Sequence, residues 1–239
     1  MLSLTESNRI WLNERFAVKN RVYLSHEPIW GYRRGTTETG HLVRFARTLQ
    51  ILRMLSGLQF RTFCDVGAAE GYTISLVRAL LNLERPVAID LSLEAARRAH
   101  ELFGLLSCSA DAACLPFKTN SFDVVLCSEV IEHLERPFAA IGELLRVCRH
   151  YLLVTTEVVG FSPLHRLAML KTRQIGKPHY DRNIWLLEDF EKMFGEDIVA
   201  IPQFFGSSDR NDPESSEVAR RKLLEMVPLE KPCAPRWDL

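Results

Sequence analysis

The feature that most constrains the fold is an alternation of short apolar runs with amphipathic segments through the middle of the chain. The apolar runs occupy residues 62–66, 87–90, 105–109, 122–127 and 151–155. Between them, apolar side chains recur at helical spacing: Ile74, Val77 and Leu81; Leu93, Ala96, Ala99 and Phe103; Phe138, Ile141, Leu145 and Cys148. Such an alternation is typical of a parallel sheet covered by helices on both faces. We therefore predict an α/β fold with one doubly wound, mostly parallel sheet and right-handed crossovers.

The segments on either side of this alternation predict the domain organisation. Thr5 is placed to cap a helix through Phe16, and a second helix is predicted from Thr37 to a stop at Gly57. Beyond the last predicted strand, residues 198–205 are typical of a strand but have no evident partner. Residues 1–58 are predicted to form an N-terminal helical lid, and residues 59–206 the core, with a substrate-side insert at about 157–185. Residues 207–239 are predicted to form a C-terminal helix with a tail.

Composition and charge narrow the classes of partner. The 239 residues carry 30 Lys and Arg against 30 Asp and Glu, so no net field attracts nucleic acid or an anionic membrane. The N-terminus is polar and no stretch is long and apolar enough to cross a membrane, which disfavours secretion and membrane insertion. Six cysteines without CxxC spacing predict reduced thiols in a cytoplasmic protein. We expect a small-molecule substrate and neither nucleic acid nor a membrane as partner.

The first predicted strand runs into a loop of small residues, Asp65-Val66-Gly67-Ala68-Ala69-Glu70-Gly71, directly before an amphipathic helix. Small residues suit a backbone that must turn sharply and approach a ligand closely. A dinucleotide site of the G-x-G-x-x-G type needs glycine at positions 67, 69 and 72, but positions 69 and 72 hold Ala and Tyr. This spacing argues against nicotinamide or flavin binding. The alternative is that Gly67 and Gly71 merely end a strand and begin a helix.

Polar residues also follow the next three predicted strands. Asp90 ends the second strand, where a carboxylate can accept hydrogen bonds from both hydroxyls of a ribose; alternatively it caps the following helix. Asp111 and Ala112 follow the third strand. Ser128 and Glu129 leave the fourth strand at the carboxyl edge of the sheet, where doubly wound folds bind ligands.

Taken in order, these motifs resemble those of class I, Rossmann-like methyltransferases that use S-adenosylmethionine (SAM). Two further segments match the "LPF…SFDVV" signature of the type 11 group, which includes quinone-biosynthesis methyltransferases: Leu115-Pro116-Phe117 and Asn120-Ser121-Phe122-Asp123-Val124-Val125. The resemblance covers about residues 62–155, under half of the chain. Within the signature we expect Asp123 to be structural.

The resemblance implies SAM as the cofactor and assigns its parts to residues of this chain. The first loop and its acid would hold the methionine end, Asp90 the ribose, Asp111 the adenine amino group, and Ala112 a backbone contact. The full implied set of cofactor-binding residues is Asp65, Gly67, Ala68, Ala69, Gly71, Asp90, Leu91, Asp111, Ala112, Ser128 and Glu129.

Methyl transfer depends largely on aligning the acceptor and excluding water, so no nucleophilic residue is required. An acceptor hydroxyl or acidic carbon benefits from a general base, for which His133, His165 and His179 are candidates by type. Alternatively, His133 has a packing role and the other two are solvated loop residues. A sharper hypothesis places a divalent metal on Glu129, Glu132, His133 and His179, as in small-RNA 2′-O-methyltransferases. Because metal-free relatives share the same string, we predict no metal.

The acceptor pocket is predicted to come from the parts outside the core. Aromatic side chains there either line this pocket or anchor the cap to the core: Trp30, Tyr32, Tyr180, Trp185, Phe204 and Phe205. A competing function is a sensor or scaffold that binds SAM without transferring its methyl group. Aminopropyl transfer is disfavoured, because the sequence lacks the acidic pairs expected of a polyamine pocket.

Overall fold

The computed structural model describes residues 3–17, 39–156, 158 and 182–194. The helices are α1 Leu4–Phe16, α2 Thr39–Ser56, α3 Tyr72–Leu81, α4 Leu93–Phe103, α5 Pro137–Val147 and α6 Leu187–Phe194, and a 3-10 turn spans Ile131–His133. The strands are β1 Phe63–Val66, β2 Val87–Asp90, β3 Leu106–Ser109, β4 Phe122–Ser128 and β5 Cys148–Thr155. Each strand overlaps the apolar run that predicts it.

The five strands form one parallel sheet in the order β3-β2-β1-β4-β5. The strand order reverses direction at β1, which pairs with β2 on one side and with β4 on the other. This is the topological switch point at which doubly wound sheets bind ligands beyond the carboxyl ends of the strands. The predicted α/β, Rossmann-like fold is confirmed.

The core lies on both sides of the two central strands. β1 is buried along its whole length and β4 along all but its last residue, as expected for strands covered on both faces. Side chains from the sheet, α5 and α6 form one apolar cluster that includes Val125, Leu144 and Trp185. The sheet is therefore a rigid base for the loops at its carboxyl edge.

The predicted buried faces of α4 and α5 are wrong in part. Leu93 is 62% exposed and Phe138 is 67% exposed, and Leu145 is also exposed. The buried residues are mostly small or shifted by one position: Ala95, Ala96, Arg98 and Ala99 in α4, and Pro137, Ala140, Ile141, Leu144 and Val147 in α5. Cys148 starts β5 instead of ending α5. Alanines let a helix axis approach the sheet closely, so the largest apolar side chains need not mark the packed face.

Two further sequence predictions concern the leading helices. Ser3, not Thr5, caps α1, because its hydroxyl accepts a hydrogen bond from the N–H of Glu6 at 3.1 Å. The predicted end of α1 at Phe16 is confirmed, and α2 ends at Ser56 directly before Gly57.

The chain divides into two compact units, Met1–Tyr23 with Phe60–Ala200, and Leu24–Gln59 with Ile201–Leu239. Helix α1 and the whole sheet belong to the first unit, and α2 belongs to the second. The predicted division into lid, core and C-terminal segment stays a prediction. No helix within the described ranges combines the length and apolarity needed to span a membrane.

Several sequence predictions lie outside the described residues. They are the insert with His165 and His179, the strand at 198–205, the C-terminal helix, and the aromatic residues Trp30, Tyr32, Tyr180, Phe204 and Phe205.

Candidate cofactor site at the carboxyl edge of the sheet

The loop after β1 is held against the end of β2 by its backbone. The N–H groups of Gly67 and Ala68 both donate to the carbonyl oxygen of Ile89, at 2.7 and 2.9 Å. The next N–H, from Ala69, donates to Asp90 Oδ2 at 2.9 Å. Gly67 (φ +83°) and Ala69 (φ +49°) both adopt left-handed backbone conformations. The loop therefore curls over the sheet edge in a conformation that small residues allow.

Both loop glycines are also needed for close packing. A Cβ added at Gly67 would lie 2.1 Å from Val130 Cγ2, so the loops after β1 and β4 touch there. At Gly71, which precedes α3, the added Cβ would lie 2.6 Å from Leu105 Cδ1 and 3.1 Å from Ala99 Cβ. Gly71 thus has a packing role that its position in the motif does not reveal.

The carboxylate of Asp90 is fixed by two backbone donors. Oδ2 accepts from the N–H of Ala69 and Oδ1 accepts from the N–H of Ser92 at 2.8 Å. The cap of α4 is Ser92, whose hydroxyl accepts from the N–H of Ala95 at 3.1 Å. Asp90 is therefore not the helix cap, and the alternative sequence interpretation is wrong. The two backbone donors thus hold this carboxylate, a group that can accept several hydrogen bonds, at the end of β2.

Asp65, at the end of β1, is only 3% exposed. Burial, and then the negative charge of Asp90, raise the pKa of its carboxyl group to about 7. Within the described part of the chain, its side chain makes no hydrogen bond or ion pair. A buried acid with a second acid beside it favours a cationic ligand, which would offset the repulsion between the two groups.

Asp111 and Ala112 follow β3 on the other side of β2. Asp111 Oδ1 accepts from the N–H of Ala113 at 2.8 Å, and its Oδ2 pairs with the exposed side chain of Arg136 at 3.2 Å. The N–H of Ala110 donates to the backbone oxygen of Asp90 at 2.9 Å. Asp65 near the end of β1, Asp90 at the end of β2 and Asp111 after β3 therefore lie at one edge of three adjacent strands. Ala112 is buried there.

The remaining predicted cofactor residues lie around the same edge. The backbone oxygen of Leu91 accepts from the Ser109 hydroxyl at 2.9 Å. The Ser128 hydroxyl is hydrogen-bonded to the Thr155 hydroxyl at 2.7 Å, and that of Thr155 donates to Glu129 Oε1 at 3.1 Å. Glu129 has a left-handed backbone conformation (φ +56°), which turns the chain away from the end of β4. These contacts fix the turn that carries Ser128 and Glu129.

The acceptor-side candidates lie in the 3-10 turn after β4. The buried carboxylate of Glu132 accepts from the Thr156 hydroxyl at 3.0 Å, and its other oxygen lies 3.9 Å from His133 Nε2. Across the described ranges, no group of three or more candidate ligands is arranged to hold a metal ion. His179, the fourth ligand of the metal hypothesis, and His165 lie outside those ranges. The role of His133 as a general base stays a prediction.

Comparison with known proteins places this geometry in a family. Residues 64–151 match the type 11 family model described as a methyltransferase domain. This part of the chain is a methyltransferase domain. A curated relative, the malonyl-[acyl-carrier protein] O-methyltransferase of Marinomonas sp. (strain MWYL1), is 31% identical over 120 residues, 48% of this chain. The match spans only 44% of the length of that relative.

Solved structures support the fold. Magnesium protoporphyrin IX methyltransferase from Synechocystis PCC 6803 was solved with bound S-adenosylhomocysteine (SAH). It aligns with a TM-score of 0.53 at 17% identity, and the alignment covers 82% of this chain and 89% of the methyltransferase chain. The YcgJ protein from Bacillus subtilis aligns with a TM-score of 0.55 at 17% identity, covering 75% of this chain and 82% of its own.

Within the methyltransferase domain, the most specific sequence signature has a structural explanation. Arg146 of α5 donates to the backbone oxygens of Phe117 and Leu115 at 2.7 and 3.1 Å, and Glu143 accepts from the N–H of Leu115 at 2.8 Å. These bonds hold the Leu115-Pro116-Phe117 segment against α5. The side-chain hydrogen bond from Arg146 lowers the pKa of Glu143 to about 2 against the opposing effect of burial.

Asp123, in the second half of the signature, is structural as expected. Its Oδ2 accepts from the N–H groups of Arg61 and Thr62, both at 3.0 Å, and its Oδ1 pairs with Arg149 at 2.7 Å. Burial alone would raise the pKa of this carboxyl group, but these hydrogen bonds and the Arg149 charge lower it to about 2.

Two asparagines of the site have no signal in the sequence. The side-chain amide of Asn183 donates to the backbone oxygens of Ile131 and Leu134 at 2.9 and 2.8 Å, and so clamps the turn that carries His133. Asn13 of α1 binds the start of α4 beside Asp90. Each contact joins residues far apart in the chain, so neither periodicity nor motif spacing could have revealed it.

Proposed function

We propose that this chain is a methyltransferase that uses SAM and acts on a small-molecule acceptor. The observation that carries the proposal is the bond between the loop after β1 and Asp90, which brings the loop of small residues, Asp65 and Asp90 to one switch point. The family match over residues 64–151 supports it. So does the SAH, the demethylated product of SAM, bound to a structural relative.

The residues present fit SAM chemically. The loop after β1 is built of small residues in left-handed backbone conformations at Gly67 and Ala69, which suits close approach of its backbone to a ligand. The two backbone donors fix the Asp90 carboxylate at the sheet edge, where it is placed to accept from a ribose diol. A cationic ligand would lower the raised pKa of the buried Asp65 carboxyl and so favour its charged form. When bound, SAM supplies an activated methyl group on a sulfonium. In this assignment Asp90 accepts from the ribose hydroxyls, Asp111 from the adenine amino group, and the loop after β1 lies along the methionine portion.

On the acceptor side, His133 is the described candidate for receiving a proton. The carboxylate of Glu132, 3.9 Å from His133 Nε2, would stabilise the imidazolium formed when His133 takes the proton that the acceptor releases. Asn183 holds the turn that carries both groups. A chain without net charge favours a small neutral or mildly charged acceptor over nucleic acid. The free thiols of Cys64, Cys108, Cys114, Cys127 and Cys148 support a cytoplasmic setting.

Turnover with methyl-labelled SAM tests this proposal. The purified protein is incubated with a panel of small acceptors that offer hydroxyl, amine, acidic carbon and carboxyl groups. Malonyl-acyl carrier protein, a protein-bound acceptor, is tested beside the panel because a relative is named as its O-methyltransferase. We expect SAH formation that depends on one acceptor class. A His133→Gln variant should lower kcat by about a hundredfold for a hydroxyl or carbon acceptor, with KM little changed.

The same experiment distinguishes a methyltransferase from the competing function, a sensor or scaffold that binds SAM. Binding of SAM without turnover over the whole panel would favour a sensor or scaffold over an enzyme. Full turnover after chelation of divalent cations would rule out the metal hypothesis built on Glu129, Glu132, His133 and His179.

A further inference from the structure

Helix α1 is hydrogen-bonded to the segment that follows Asp90. Asn13 Oδ1 accepts from the hydroxyl of Ser92 at 2.7 Å and from the N–H of Glu94 at 3.3 Å. Both donors lie at the start of α4, within four residues of Asp90. The sequence separation is about eighty residues, so this contact exists only in the folded protein.

Ser92 connects Asn13 to Asp90, because its side chain bonds to the first and its backbone to the second. The residue is fully buried. Its hydroxyl donates to Asn13 and accepts from the N–H of Ala95, while its backbone N–H donates to Asp90 Oδ1 at 2.8 Å. A hydroxyl has only one proton, so the acceptor at Asn13 sets the orientation of the Ser92 side chain. Any shift of Ser92 therefore moves the backbone N–H that donates to the Asp90 carboxylate.

The other end of α1 is hydrogen-bonded to Glu135, in the segment next to Asp111. The N–H and the hydroxyl of Thr5 both donate to Glu135 Oε2 at 3.2 Å. The residue after Glu135 is Arg136, which pairs with Asp111. Helix α1 therefore runs between the segments that position the two acids assigned to ribose and adenine.

We propose that Asn13 is a positioning residue of the cofactor site, which fixes Asp90 through Ser92 and makes α1 part of the ribose-binding apparatus. The inference rests on the proposed function, because it assigns Asp90 to the ribose. It gives α1 a role in selecting a nucleoside with intact ribose hydroxyls. A helix that only anchored the N-terminus would not affect that selection.

The test compares binding of SAH and its 2′-deoxy analogue to purified full-length variants by calorimetry. Asn13→Ala removes the acceptor, and we expect SAH to bind about fivefold more weakly. The 2′-deoxy analogue should lose less affinity, because it makes one bond fewer to Asp90. The preference for SAH over the analogue should therefore fall by about threefold or more. Asn13→Asp keeps an acceptor oxygen and should restore both values to within about twofold.

Glu14→Ala is the matched control, because Glu14 is the next residue in α1 and is exposed. It should leave both affinities unchanged. If Asn13→Ala lowers the melting temperature but keeps the wild-type preference for SAH, Asn13 is only an anchor and the inference is wrong. If Asn13→Ala does not fold, Asn13→Leu, of similar size and without an acceptor, takes its place. Failure of the wild-type protein to bind SAH would instead contradict the proposed function.

Discussion

At the scale of single residues, Asp65 is the most unusual group of the site. It is buried at the end of a central strand, beside a second acid, and its pKa is raised to about 7. The unfolded chain would release this proton near pH 4. Between these values the folded state binds more protons than the unfolded state, so the free energy of unfolding falls as the pH rises. The acid therefore destabilises the ligand-free protein at neutral pH, as is common for groups placed for a ligand.

Replacing Asp65 by Asn should remove this pH dependence. The free energy of unfolding of Asp65→Asn relative to wild type should increase by up to about 4 kcal/mol between pH 4 and pH 8. Urea unfolding across this range measures it. Asp123→Asn is the control, because the pKa of Asp123 is lowered to about 2 and its contribution is constant above pH 5. If the free energy of unfolding changes with pH in the same way for Asp65→Asn and for wild type, Asp65 does not titrate in this range.

At the scale of elements, a buried ion pair connects the cofactor loop to α4. Glu70 Oε1 accepts from Arg98 Nε at 2.7 Å, and both side chains are buried. Arg98 appears in the sequence as one more charged residue on a helix and was not part of the predicted packed face. Its burial depends on an acid 28 positions earlier. The pair holds the end of the loop against α4, together with the close contact at Gly71.

Breaking this pair from one side should cost more than replacing both partners. Arg98→Met leaves Glu70 buried without its cation and should lower the free energy of unfolding by about 3–5 kcal/mol. The double variant Glu70→Gln with Arg98→Met should recover about 2 kcal/mol of that loss. A double-mutant cycle by chemical denaturation measures the coupling. Additivity within about 0.5 kcal/mol would contradict the account of the pair.

At the scale of the whole molecule, the sequence predicted strand positions, sheet type and cofactor edge well. Short apolar runs bounded by turn residues are typical of strands, and strand order constrains where ligands bind. The faces of α4 and α5 were predicted less well, because Leu93 and Phe138 are large and apolar yet exposed. The alanines predicted for the face of α4, Ala96 and Ala99, are buried, because close helix–sheet packing favours small side chains.

The parts of the site that the sequence missed share one physical cause. Asn13, Asn183 and Arg98 act through hydrogen bonds to residues distant in the chain, and such contacts follow from the assembled fold. The motif residues could be predicted from the sequence because loop geometry and strand ends are local properties. Even there, the sequence allowed Asp90 to be a helix cap, and only the Ser92 cap resolves that alternative.

The central claim, that one switch-point pocket holds a SAM-type nucleoside, is tested most directly by calorimetric titration of the purified chain with SAH. We expect saturable binding of about one SAH per chain, weakened about tenfold or more by Asp90→Asn. Glu84→Gln removes the same charge from an exposed position before β2 and should bind SAH as wild type does. No saturable binding to the wild-type protein, or equal affinity in Asp90→Asn, would contradict the claim.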